Sequence, residues 1–289
     1  MRCDLHVHTL HSGMCTVPLL NRICRESYNA PEEVYQTLKG RGMDLVTVTD
    51  HDSVDSVENL RRLPDFFLSE EVTCRTPSGT ELHMGVYDIS ERHHVELQRR
   101  RDDLISLLAF LGEQNLFFSI NHVFSSLTGP RTDSDFSLFE AHFPGLETLN
   151  GQMPATCNRS AESLARQWNK AAVAGSDSHT LAALGLTYTE VAGAGNVSEF
   201  MHGLRQGYSR THGTSGNYWT LTKAVWNIGA NLLGDKPWTI ALSPLFLAVP
   251  LVTLGNLFRE YAFDRKWSRR IVNGASLPVA TACVTEIAS

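Results

Sequence analysis

The chain has 289 residues, 42% of them hydrophobic and 19% charged, with a formal net charge of −6 and a pI near 6.0. This is the composition of a globular protein with a sizeable core, and the acidic balance argues against nucleic acid as a default partner, leaving only a local basic groove open. Six cysteines, Cys3, Cys15, Cys24, Cys74, Cys157 and Cys283, form no Cys-x-x-Cys pair, which argues against a thiolate zinc knuckle or thioredoxin-like motif and for scattered, reduced, structural thiols.

Met1-Arg2-Cys3-Asp4 begins without an apolar signal region, so the expected location is cytoplasmic. Residues 1–8 read as a short first strand. Pro31 to Leu38 reads as a helix, with Pro in its first turn and Glu32 and Glu33 where the dipole favours acids; Gly40 and Gly42 stop it. The β-branched run Met43 to Thr49 fits a buried parallel strand. Glu71 to Thr76 and Glu81 to Tyr87 flank Pro77-Ser78-Gly79, a hairpin or tight strand connection. Arg92 to Asn115 reads as one long helical stretch, with Leu104, Leu107, Leu108 and Leu111 as its apolar stripe and Arg99 to Asp103 as a solvated face. Leu116 to Ile120 is the next strand and ends at Asn121-His122. Pro144 to Leu149 is short and apolar and ends at Asn150-Gly151. Asn158 to Lys170 is helical with Asn158 as N-cap, and Ala171 to Ala174 is a small-residue strand leading to Ser176-Asp177-Ser178-His179. Alternating strands and helices predict an α/β parallel sheet or barrel, and polar residues just after strands fall where such barrels place active sites.

Those polar residues carry the chemistry. His6 and His8 stand two apart in an extended segment, so both imidazoles share one face. Thr49-Asp50-His51-Asp52, Glu70-Glu71, His83, Asn121-His122 and Gly175-Ser176-Asp177-Ser178-His179 supply matching pieces. Each alone has an ordinary reading: a hydrogen-bonded histidine, a turn with an Asp cap, a helix N-terminus. Their conjunction, five to six histidines with one Glu and one Asp and no cysteine, reads as a hard-to-borderline site for more than one Mn, Fe or Zn ion. Two such ions can hold a hydroxide between them and clamp both oxygens of a phosphoryl transfer, so no Ser or Cys nucleophile is required.

On these same pieces (Asp4-Leu5-His6-Val7-His8-Thr9, Thr49-Asp50-His51-Asp52, Glu71-Val72-Thr73, Glu81-Leu82-His83, Asn121-His122 and Gly175 to His179) the chain resembles the PHP (polymerase and histidinol phosphatase) family over about residues 1–213. The resemblance implies a distorted (β/α)7 TIM-like barrel and a phosphoesterase acting through a metal-bound hydroxide on a small phosphorylated substrate, with two or three divalent metal ions. It implies that His6, His8, Glu71 and Asp177 hold one ion, that Glu71 bridges to a second held by His83 and His122, and that His51 and His179 serve a third, with Asp177, His179 and His51 as the catalytic group. Asp4 and Asp52 are expected to orient imidazoles, and Glu70, on the opposite strand face from Glu71, is expected to be outside the site. One departure stands out: the acid that many members carry five residues after the second His is Gly13 here, so the third ion lacks its usual carboxylate unless His11 or Cys15 substitutes. For phosphate recognition the candidates are Arg131, Arg159 and Asn150. The alternatives to a phosphoesterase are a metal-dependent hydrolase of a C–N or C–O bond and a non-catalytic metal-bound scaffold.

Composition shifts after Gly213, dividing the chain into a barrel over 1–213 and an apolar, helical C-terminal extension over 214–289. Pro237 to Phe258 contains no charged residue and is long enough to span a bilayer, but Pro244 and Pro250 interrupt a helix there. The segment is expected either to contact a membrane or to pack on the barrel or a second subunit, with Lys236 on one side and Arg259, Arg265, Lys266, Arg269 and Arg270 on the other suited to anionic headgroups.

Overall fold

A computed structural model describes residues 1–18, 20–272 and 274; Cys283 lies outside them. The elements in chain order are β1 (Arg2–Cys3), α1 (Pro31–Gly40), α2 (Val57–Leu60), β2 (Ser69–Arg75), β3 (Glu81–Tyr87), α3 (Glu91–Arg100), α4 (Leu104–Glu113), β4 (Phe117–Ile120), α5 (Asp133–His142), β5 (Gly145–Asn150), α6 (Ala155–Gln167), β6 (Ala171–Gly175), β7 (Thr187–Val191), α7 (Val197–Arg205), β8 (Ser209–Gly213), α8 (Tyr218–Asp235) and α9 (Val249–Trp267), with a 3-10 helix at Pro237–Ala248 between the last two.

The fold is mixed α/β, built on a five-stranded sheet of order β2-β3-β4-β5-β6 and a three-stranded sheet of order β1-β7-β8. The β2/β3 and β3/β4 pairs are antiparallel, and only β4, β5 and β6 run parallel. Pro77-Ser78-Gly79 makes the expected hairpin, with Gly79 at φ +84°, a backbone state that glycine adopts without strain.

The described residues do not form one closed sheet. Of the predicted strands over 1–8 and 43–49, only Arg2–Cys3 pairs regularly; Val7 and Val46 make isolated bridges, and the chain bends at Asp44 and Leu45. These segments still touch their neighbours: Asp177 N donates to His6 O (2.7 Å), His8 N to Ser178 O (3.3 Å), Thr49 N to Val7 O (2.8 Å) and Glu71 N to Asp50 O (3.2 Å). The ladder is broken because buried side chains take backbone groups that a strand partner would otherwise satisfy. Val7 N donates to Thr49 Oγ1 (2.9 Å), Thr9 N to Asp50 Oδ1 (2.6 Å), Ser176 N to Asp4 Oδ1 (2.8 Å) and Ala174 N to Thr189 Oγ1 (2.8 Å).

Two helical expectations change. The stretch 92–115 is two helices, because Asp103 accepts from Ile105 N (3.1 Å) and Ser106 N (3.2 Å) and so caps a new start at α4. α6 begins at Ala155, leaving Asn158 inside it. The Asn158 amide donates to Asn150 O (3.0 Å) and Ser215 Oγ (2.9 Å), fastening the β5–α6 turn rather than capping the helix.

The largest core cluster lies between the five-stranded sheet and α3 to α6, through Val72, Met84, Leu107, Phe118, Ile120 and Phe136. The C-terminal extension joins the same core, since Trp267 and Ile271 are buried in it and the Trp267 ring lies 5.1 Å from that of Phe136. Glu260 accepts from Ser126 N (2.9 Å) and Ser126 Oγ (2.6 Å). α8 packs on the 3-10 helix at Gly229, where a Cβ would come within 2.1 Å of the Phe246 ring.

The closest backbone approach is at the end of β6. A Cβ on Gly175 would lie 2.3 Å from His6 Cβ and 2.4 Å from His6 N, so only glycine lets the His-bearing segment lie against the strand. Gly175→Ala should therefore destabilise the protein by about 1–3 kcal/mol, read as a lowered Tm in thermal unfolding. An unchanged Tm would contradict this contact.

Candidate metal centre

Glu71 is the centre of the site. It sits in β2, buried, and receives imidazoles from several segments. His6 Nε2 (3.1 Å), His8 Nε2 (3.4 Å) and His51 Nδ1 (3.3 Å) face its Oε2. His83 Nδ1 (3.5 Å) and His122 Nε2 (3.4 Å) face its Oε1. Asp177 Oδ1 closes the group from the end of β6, 3.5 Å from His6 Nε2 and 3.3 Å from His8 Nε2, with His179 Nδ1 at 3.7 Å. Glu70 points the other way and accepts from His94 Nδ1 (2.6 Å) and Gln98 Nε2 (3.3 Å) on α3.

The structure thus brings His6, His8, His51, Glu71, His83, His122, Asp177 and His179 into one cluster, in overlapping triplets whose ligand atoms lie within 4.8 Å of one another. Two of these residues hold left-handed backbone, His122 at φ 31° and Asp177 at φ 50°, a strained state for non-glycine residues that concentrates at functional sites.

Ring orientation is fixed from behind. His6 Nδ1 donates to Glu147 Oε1 (2.8 Å), which leaves Nε2 to face Glu71. Ser12 Oγ donates to Asp50 Oδ1 (2.8 Å), so its lone pair accepts from His8 Nδ1 (2.9 Å) and His8 Nε2 is likewise left free. His179 Nδ1 donates to Asp177 O (3.1 Å). His8 Nε2, His83 Nδ1 and His179 Nε2 are buried with no hydrogen-bond partner. Unpaired ring nitrogens aimed at shared carboxylates are what a divalent metal centre requires, and the set fits such ions.

Asp4 and Asp52 act on the backbone rather than on imidazoles. Asp4 accepts from His6 N (3.3 Å), Ser176 N (2.8 Å) and Gly185 N (2.7 Å). Asp52 accepts from Thr73 N (2.9 Å) and pairs with Arg101 (2.6 Å). The orienting groups that sequence reasoning missed are Glu147, Ser12 and Asp50. The signal for Glu147 was an acid inside the short apolar strand over 144–149.

The third position is answered by a residue the sequence reading did not single out. Glu26 Oε1 lies 3.4 Å from His179 Nε2, and Glu26 Oε2 lies 3.7 Å from His51 Nε2. Glu26 N donates to Gly13 O (3.1 Å), and Cys15 N to Cys24 O (3.0 Å), so the loop after His8 doubles back and its returning arm puts a carboxylate beside the glycine. Neither His11 nor Cys15 lines the cavity.

Asn150 is fully buried and donates to Glu147 Oε2 (2.9 Å) and Asp177 Oδ2 (3.0 Å), so it positions two carboxylates of the centre. Arg131 is buried at the loop after β4, where it donates to Glu81 O and to Thr128 Oγ1 (2.6 Å) and lies over the Phe139 ring. Arg159 is exposed on α6, in a cleft with Asp264 and Ser268. Neither lines the cavity of about 340 Å³ that opens on the cluster, nor does any other lysine or arginine among the described residues; Met14 and Leu127 form part of its wall.

The charges are interlocked. Burial pushes the Glu71 carboxyl up, but His6, His51 and His83 override it and hold it well below the usual range. Burial disfavours the charged ring of His8, as do His179 and His51, lowering it to about 4. Burial opposes charge on His83 and His179 too, yet Glu71 raises the first to about 10 and Glu26 raises the second to about 9.

Residues 156–208, which include the end of β6 and the Asp177–His179 turn, match the family model described as PHP-associated. No curated protein sequence matches the chain. Among solved structures, the chain is similar in fold to a two-domain protein from Bacteroides vulgatus containing a predicted PHP-like metal-dependent phosphoesterase, at 16% identity and a TM-score of 0.55, over 73% of this chain and 64% of that one. It is also similar to PsfC from Pseudomonas syringae, at 18% identity and a TM-score of 0.56, over 81% of this chain and 98% of that one. The chain therefore spans less than two thirds of the Bacteroides protein. The family match lies over the last ligand motif, Gly175 to His179.

Two outcomes follow from the geometry. His83 and His179, raised to about 10 and about 9, hold protons at neutral pH where a metal needs lone pairs, so loading must release protons and affinity must rise with pH. Titration calorimetry in buffers of different ionisation enthalpy reads this directly, and proton-neutral uptake would contradict it. Glu147→Gln, which disturbs the partner of His6 Nδ1, should weaken metal affinity by roughly 10- to 100-fold, measured by competition with a chelating dye.

Proposed function

We propose that the chain is a metal-dependent phosphoesterase hydrolysing a small phosphate ester, on a distorted seven-stranded barrel whose irregular segments are residues 4–8 and 44–52. The observation that carries this reading is Glu71 shared by five imidazoles from four segments, a set suited to holding several ions close together. Mn, Fe or Zn suits the imidazole and carboxylate donors, with no thiolate lining the cavity among the described residues. Bound ions would supply Lewis-acid stabilisation of phosphoryl oxygens and a water of lowered pKa. His6, His8, Asp177 and Glu71 would hold one, Glu71, His83 and His122 a second, and His51, His179 and Glu26 a third. The chain's own contribution is positional: Glu147, Ser12 and the Asp177 carbonyl fix the rings, and Asn150 and Asn121 fix the carboxylates. The cavity of about 340 Å³ suits a small substrate.

The lack of lysine and arginine along the cavity favours one second reading, hydrolysis of a C–N or C–O bond in an uncharged substrate. A panel of phosphomonoesters, amides and lactones, assayed with Mn, Fe and Zn, separates the two. Phosphate release that chelation abolishes and a transition metal restores is expected. Turnover of amides or lactones alone would favour the second reading, and a purified protein that binds no transition metal and hydrolyses nothing would sink both. Glu26→Gln should retain one ion fewer per chain by elemental analysis, whereas unchanged metal content would remove Glu26 from the centre.

A further inference from the structure

The C-terminal extension carries an apolar surface with nothing packed on it among the described residues. From Pro237 the chain runs as one helical stretch to Val272, long and apolar enough to cross a membrane, yet only 11% of its most apolar 18-residue window is buried. Trp238, Ile240, Leu245, Leu247, Leu251 and Phe258 are exposed, Leu247 to 84% and Leu251 to 72%. That is far beyond the scattered apolar exposure of an ordinary surface. Trp219, on α8 beside this stretch, is exposed to 62%.

Both ends of the stretch are tied to the same body. Lys236 Nζ donates to Ile23 O (2.7 Å) in the loop that carries Glu26, and Glu260 accepts from Ser126 in the loop after His122. A single crossing would put those two ends on opposite sides of a hydrocarbon core about 30 Å thick, which one folded body cannot straddle. The segment therefore lies along a surface instead of piercing it.

The charge around it says which surface. Between Tyr218 and Val272 stand seven basic residues and three acidic ones, in a chain of net charge −6. Two of the three acids, Glu260 and Asp264, are buried, and the third, Asp235, pairs with Lys236 at 3.2 Å. Lys236 and Arg270 pair with Asp235 and Asp133. That leaves Lys223, Arg259, Arg265, Lys266 and Arg269 exposed with the apolar residues and tryptophans, the combination that seats a peripheral protein in anionic headgroups.

We infer that residues 218–272 are an interfacial anchor for an anionic bilayer, lying in the headgroup region without crossing it and bonded to both loops that wall the metal-centre cavity. The test is co-sedimentation of the full chain with vesicles of phosphatidylcholine alone and of phosphatidylcholine with phosphatidylglycerol. The protein should pellet with the anionic vesicles and be released by salt. Leu247→Glu with Leu251→Glu, both exposed, should weaken binding roughly tenfold or more while keeping the Tm and metal content. Remaining in the supernatant with both vesicle types overturns the inference. So does a double variant that pellets like the wild type, or a stable dimer in sedimentation velocity that the double variant abolishes while vesicle binding is absent.

Discussion

The constraint on which the rest depends is a buried carboxylate shared by five imidazoles. Glu71 has almost no contact with solvent, and an isolated ionised carboxylate in that position would be strongly disfavoured. It is tolerated because polar groups close on both oxygens: His6, His8 and His51 face one, with His6 Nε2 in hydrogen-bond range, and His83 and His122 face the other, to which the Asn121 amide donates. Those groups come from four segments far apart in sequence. The fold is therefore obliged to bring the ends of β2, β3, β4 and β6 and the two irregular segments to one point.

That obligation explains why the sheet is irregular where the site is. The segments bearing His6, His8 and His51 give up ladder bonds and are held by Thr49, Asp50, Asp4 and Ser176. Side-chain acceptors can be placed at any angle, whereas a ladder fixes the direction of every second residue. The left-handed backbone at His122 and Asp177 belongs to the same trade. Regular pairing survives in β2 to β6, where Val72, Met84, Phe118 and Ile120 build the core, and it supplies the rigid base that holds the strained residues.

Legibility in the sequence follows the same division. His6, His8, His51, His122, Asp177 and His179 could be read because they fall at or just past the ends of extended segments, and His83, near the start of β3, because ligand chemistry restricts residue type. Glu71 was separable from Glu70 by strand alternation, and the two do face opposite ways. Glu26 was not legible, because its place depends on a loop pairing back on Gly13 and Cys15, and no local pattern states that register. Glu147 was hidden inside an apolar strand. The break between α3 and α4 turned on a single side-chain cap at Asp103, overshadowed by the leucine stripe that continues through it. Arg131 looked like an anion clamp because charge is visible in sequence, while its burial against Phe139 and its bonds to Glu81 and Thr128 are tertiary facts.

The electrostatics also separate folding from metal loading. In small zinc domains the apo chain unfolds because its ligands have no other partner. Here protons on the rings can do the neutralising: Glu71 favours charge on His6 and His83, and Glu26 favours it on His179, while His8, hemmed in by His179 and His51, stays neutral. The carboxylates of the centre thus face rings whose charge they favour, not only one another. Bound ions would replace those protons, and Glu147, Ser12 and Asn150, with Asp50 behind Ser12, would go on holding the ligands, because they do so through atoms other than those turned to the shared cluster.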